Sequence, residues 1–67
     1  MKPTIGRMVH YTDALHHSRP AIVTSVHHDE KTVDLAVFWT NKMEFRLGIK
    51  HDEDRESKTW HWPPREV

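Results

Sequence analysis

The chain reads as an all-β domain. Three observations predict that class. β-branched and aromatic residues gather in short runs, above all Ala21-Ile22-Val23-Thr24-Ser25-Val26 and Val33-Asp34-Leu35-Ala36-Val37-Phe38-Trp39. A short polar stretch, His28-Asp29-Glu30-Lys31, separates them as a hairpin turn would. Further on, Phe45, Leu47 and Ile49 alternate with Glu44, Arg46, Gly48 and Lys50, the two-residue period of a half-buried strand.

Taken in order, residues 5–11 form the first expected strand, with Gly6, Met8 and His10 alternating with Arg7, Val9 and Tyr11. The period is blurred, and the inward face stays open. Residues 12–18, with Asp13 and His16-His17, read as a loop. Pro20 opens the second strand, at a position where a missing N–H is harmless. The third strand covers the run within residues 32–40. There Val33, Leu35, Val37 and Trp39 point one way, and Asp34, Ala36 and Phe38 the other. Thr40-Asn41-Lys42 is a turn into the fourth strand, 44–50. The charge run 51–58 is a solvated loop. Thr59-Trp60-His61-Trp62 is a short last strand, stopped by Pro63-Pro64. The expected architecture is therefore a single small β domain over 1–67. It is a small antiparallel SH3-like barrel, or else a strongly twisted five-stranded sheet.

Both faces of the central hairpin are partly apolar, whereas a lone barrel needs only one apolar face. The surplus predicts a second covered surface, most economically another copy of the chain, so a homo-oligomer is expected. Size points the same way. A chain of 67 residues lies near the lower limit for a self-sufficient core, and with Cys 0 it has no disulfide to supplement it.

Composition excludes several function classes. Lys+Arg 10 against Asp+Glu 10 leaves a formal charge of +0, which argues against general nucleic-acid binding. No segment approaches the ~20 apolar residues that span a bilayer. No apolar signal-peptide core follows Met1, and the expected location is cytoplasmic.

No motif carries a reaction. Ser18, Ser25 and Ser57 lack the context of an activated nucleophile, and no pair of carboxylates is held in contrasting environments. Gly6 and Gly48 are too far apart for a phosphate loop. The protein is not expected to be an enzyme, and no catalytic residue or cofactor is assigned. The 7 His contain no pair at two-, three- or four-residue spacing, so no local metal site is expected. A pair drawn from distant strands, such as His10 with His61, stays open. What remains is a set suited to ligand binding: Arg7, His10, Tyr11, Arg19, Trp39, Arg46, Trp60, His61 and Trp62. Aromatic faces beside Arg suit nucleobases and their phosphates. The alternatives are that the Trp residues form the core and the Arg residues form surface ion pairs, Arg19 with Asp34 for instance.

The segments Gly6-Arg7-x-Val9-His10-Tyr11, Arg19-Pro20-Ala21-Ile22-Val23-Thr24, Val33-Asp34-Leu35-x-Val37-Phe38 and the closing Thr59-Trp60-His61-Trp62-Pro63 resemble a family of short uncharacterised phage and prophage proteins. The likeness covers most of the chain, and the TWHWP ending is its most specific part. This chain departs from the family in two places. Trp39-Thr40-Asn41-Lys42-Met43 stands where the family often has a longer Gly/Asn/Asp-rich loop, and Lys58 stands where a Gly often precedes the last motif. The resemblance implies a phage protein in the host cytoplasm. By analogy of lifestyle it implies a homo-oligomeric counter-defence protein that sequesters a small anionic nucleotide immune signal. The alternative is an SH3-like adaptor for a host or phage protein, and nucleic acid is the less favoured partner.

Overall fold

The computed structural model describes residues 2–63. Its strands are β1 (Met8–Thr12), β2 (Ser18–Val26), β3 (Val33–Phe38), β4 (Met43–His51) and β5 (Thr59–His61). They close into a small five-stranded barrel in the order β1-β2-β3-β4-β5, with no helix among the described residues. The architecture is all-β and consistent with an SH3-like barrel. Closure comes from β1, which pairs antiparallel with both β2 and β5. One pairing departs from an all-antiparallel barrel: β5 runs parallel to β4 through Lys50–Thr59 and His51–Trp60.

Strand ends differ from the sequence expectation for local reasons. Residues 4–7 form a turn, in which the Arg7 N–H donates to the Thr4 carbonyl at 3.0 Å, and Gly6 takes a φ of 87°. The regular strand therefore starts at Met8 rather than at 5. β2 starts at Ser18, ahead of Pro20. Pro20 pairs with His10 of β1, while the ladder to β3 has ended at Ala21–Val37, so its missing N–H interrupts nothing there.

The core is built from Val9, Tyr11, Ala21, Val23, Val33, Leu35, Val37, Ile49 and Trp60, with Val26, Trp39 and Trp62 packed against it. Trp60 is its largest member, and its indole N–H donates to the Lys31 carbonyl at 2.8 Å. That bond satisfies a polar group that would otherwise be costly to bury.

β4 corrects one reading of the sequence. Only Ile49 of its alternating apolar set is buried, while Phe45 is 66% and Leu47 75% exposed. The cause is a register shift. Val33 pairs with Ile49 but Leu35 pairs with Arg46, so β4 holds one extra residue between those pairs. An extra residue flips every side chain beyond it to the other face. Gly48, at a φ of 66°, sits within the bulge, and its N–H donates to the Asp34 carboxylate at 2.9 Å. A second shift occurs in β2 between Val23 and Ser25, again opposite Asp34.

Candidate functional site

The flip in β4 builds the most distinctive surface of the molecule. Four residues are successive partners across four strands: Met8 with Ile22, Ile22 with Ala36, and Ala36 with Phe45. Because Val9, Ala21, Leu35 and Val37 occupy the interior, this row lies on the outside of the barrel. Beside it lie the pairs His10–Pro20 and Phe38–Met43. Met8 is 50%, Met43 49% and Phe45 66% exposed, whereas Ala36 is only 6% exposed and forms a dip between its larger neighbours. Neither the row nor the adjoining pairs contain an Asp, Glu, Lys or Arg.

A second cluster gathers on β1–β4 around Tyr11. Arg19 pairs with Asp13 at 3.2 Å, not with Asp34, and its guanidinium lies 5.1 Å from the centre of the Trp39 ring. Asp13 is buried and also accepts the N–H groups of Leu15 and His17, at 2.9 Å each. The His17 N–H is the main influence holding the Asp13 carboxyl below the usual range; burial opposes it, and Arg19 and the Leu15 N–H assist. Asp34 is instead tied to Gly48 and to His27, whose Nε2 lies 2.9 Å away. Arg46 pairs with Glu44 at 2.8 Å. Burial raises the pKa of the Tyr11 hydroxyl; Arg46 opposes it, and Asp13 and Glu44 add to it. The Trp39 Nε1 and the Arg46 Nε are buried without a hydrogen-bond partner among the described residues.

The remaining candidates lie around β5. Trp60 and Trp62 meet edge to face at 5.1 Å, and Arg7 lies 5.6 Å from the centre of the Trp62 ring. The Trp62 N–H donates to Glu53, which also contacts His51 at 2.6 Å. On the opposite side of β5, His61 is fully buried. Its ring meets His10 edge to face at 5.6 Å, and the hydroxyls of Thr12 and Ser18 lie 3.4 and 3.5 Å from its two nitrogens. Such long contacts are weak hydrogen bonds.

The structure thus groups Tyr11, Arg19, Trp39 and Arg46 in one place, Arg7, Trp60 and Trp62 in a second, and His10 with His61 in a third. Trp60 lies inside the core with its N–H occupied, which leaves Trp39 and Trp62 as the indoles that reach the surface. Among the described residues no three His, Cys, Asp or Glu side chains cluster as a metal site. No helix among them is long and apolar enough to cross a membrane. Sequence reasoning missed Met8, Ile22 and Phe45 as one surface, and Asp13 as the organiser of the first loop. Gly48 in mid-strand was the available signal for the first, since an isolated Gly there marks a bulge.

The class defined by this geometry is a small closed β-barrel with one outward apolar face. Comparison with protein-family models, with curated proteins and with solved structures finds no match.

Proposed function

We propose that the protein is a non-enzymatic binding module that works by docking another protein surface onto the outer face of β1–β4. The row Met8–Ile22–Ala36–Phe45 carries this reading. In a chain of which 30% is charged, a four-strand stretch without charge is the composition of an interface rather than of a solvated wall. Exposed Met and Phe are side chains that interface centres favour. A nucleic acid would need cations here to displace counterions, and the face has none. Sedimentation of the wild type against Phe45→Glu tests it. The substitution lies on the exposed side of β4 and should leave the fold intact. The expected result is association by the wild type, with itself or with a purified partner, that Phe45→Glu loses. A wild type that stays monomeric near millimolar concentration and binds no partner would overturn the proposal.

A second reading is carried by the Arg–Trp pairs. Arg19 on Trp39 and Arg7 on Trp62 offer a cation beside an aromatic face, a combination suited to a small anionic nucleotide. In the phage setting that the resemblance implies, such binding would sequester a host immune signal. Isothermal titration against cyclic nucleotides and ADP-ribose derivatives tests this reading. Heat that disappears in Arg19→Ala supports it, and silence across the panel with folded protein ends it.

A further inference from the structure

We infer that a second copy of this chain covers the outer face, related to the first by a two-fold axis that runs parallel to the strands and between Ile22 and Ala36. This rests on the reading of that face as the working surface and adds both the occupant and its orientation.

The order of side-chain sizes along the row decides the arrangement. From β1 to β4 the row reads Met8, Ile22, Ala36, Phe45, with neighbours about 4.8 Å apart across the sheet. An axis parallel to the strands reverses the row in the facing copy. Ile22 then lies over the partner's Ala36, and Met8 over the partner's Phe45. The bulky Ile22 fills the dip at Ala36, which is 6% exposed between larger neighbours. The Met8 thioether meets an aromatic ring, a favourable contact. The same rotation carries Phe38 towards the partner's Pro20. An axis along the row would set each residue on its own equivalent. Ala36 would then face the partner's Ala36 across a void that forfeits dispersion contacts.

Electrostatics permits this pairing, and chain size favours it. The formal charge of +0 raises no net repulsion between copies, and the face itself is uncharged. The chain has 67 residues and Cys 0, and association is one supplement open to a domain near the size limit. β1 is paired on both sides at His10–Thr12, which leaves no edge there for strand pairing between copies. Face-to-face packing would set the two walls about 10 Å apart.

The absence of native cysteine makes the geometry directly measurable. Met8→Cys and Phe45→Cys would be purified separately and treated with a short bis-maleimide, alone and as a mixture, with Glu56→Cys as a collisional control. The mixture is expected to yield several-fold more covalent dimer than either variant alone. Equal cross-linking by Met8→Cys alone would overturn the axis. So would absence of cross-linking in the mixture when both variants, like the wild type, sediment as dimers, while the docking face itself would stand. A wild type that is monomeric by sedimentation would overturn the second copy as occupant, and binding of an unrelated purified protein by that monomer would preserve only the broader reading. A compensation experiment does not depend on the cross-linker. Ile22→Ala and Ala36→Ile should each weaken self-association about tenfold, and the double variant should recover most of that loss. Failure of the double variant to recover, with each protein folded by circular dichroism, would overturn the Ile22–Ala36 contact.

Discussion

Single residues already show where this fold is under tension. Lys58 holds a φ of 64° while its N–H donates to the Thr12 carbonyl at 2.7 Å, a bond that ties the last loop to β1. The left-handed conformation costs an L-residue roughly 1–2 kcal/mol, and a glycine there costs part of that back through unfolded-chain entropy. Lys58→Gly is expected to stabilise the protein by up to about 1 kcal/mol, seen as a rise of a few degrees in Tm. A fall in Tm would mean that the Lys58 side chain contributes a contact outweighing the strain. His61 is the second such residue. Burial pushes its imidazole below the usual histidine range; Arg55, His10 and His51 push the same way, and Glu53 opposes them. The unfolded chain therefore binds the proton more readily than the folded one. Stability from this group is complete above the unfolded value of about 6.5 and is lost as the pH falls below it. Thermal melts at successive pH values should show a declining Tm on acidification. His61→Gln should start lower but decline less steeply; an unchanged slope would assign the acid sensitivity elsewhere.

At the scale of the elements, Asp34 coordinates the strand irregularities that shape the outer face. Its carboxylate accepts the Gly48 N–H and contacts His27, while its carbonyl accepts the Thr24 hydroxyl at 3.1 Å. The bulge regions of β2 and β4 thus both converge on one residue of β3. The Gly48 N–H, aided by His27, holds the Asp34 carboxyl below the ordinary range, so this contribution is present at neutral pH and is lost as acid protonates the folded carboxylate. Asp34→Ala is expected to lower Tm and to speed hydrogen exchange at the Gly48 amide, while Asp34→Asn keeps an acceptor and lies between the two. Equal exchange at Gly48 in all three proteins would show that the bulge needs no pin. The same element marks the limit of what sequence could show. Strand identities were legible because β-branched runs and polar breaks are local features. The face of Phe45 and Leu47 was not, since it depends on a register shift against β3 that alternation within β4 cannot express. Trp60 and Trp62 share a strand face by parity, yet depth separates them: one is sealed in the barrel and the other reaches its rim. Likewise Arg19 and Asp13 are joined by a loop that folds back, a closeness that spacing alone does not encode.

For the whole molecule, the balance between core and size turns the outer face into a stability question. The buried apolar set is short side chains for the most part, with Tyr11 and Trp60 its two large fillers. Truncating a fully buried Trp costs about 3–5 kcal/mol, comparable to all the stability a domain of this size commonly has. Trp60→Ala is accordingly expected to unfold an isolated copy. If a second copy covers Met8, Ile22, Ala36 and Phe45, folding and association are linked, because the partner binds the native state and not the unfolded one. The wild-type Tm should then rise with protein concentration, by an amount set by mass action, and Phe45→Glu should melt at one temperature at every concentration. The two proteins would converge at high dilution, where the wild type is also alone. A wild-type Tm independent of concentration over a hundredfold range would mean that the barrel is sustained by its interior alone, and that the apolar face is kept for a different protein.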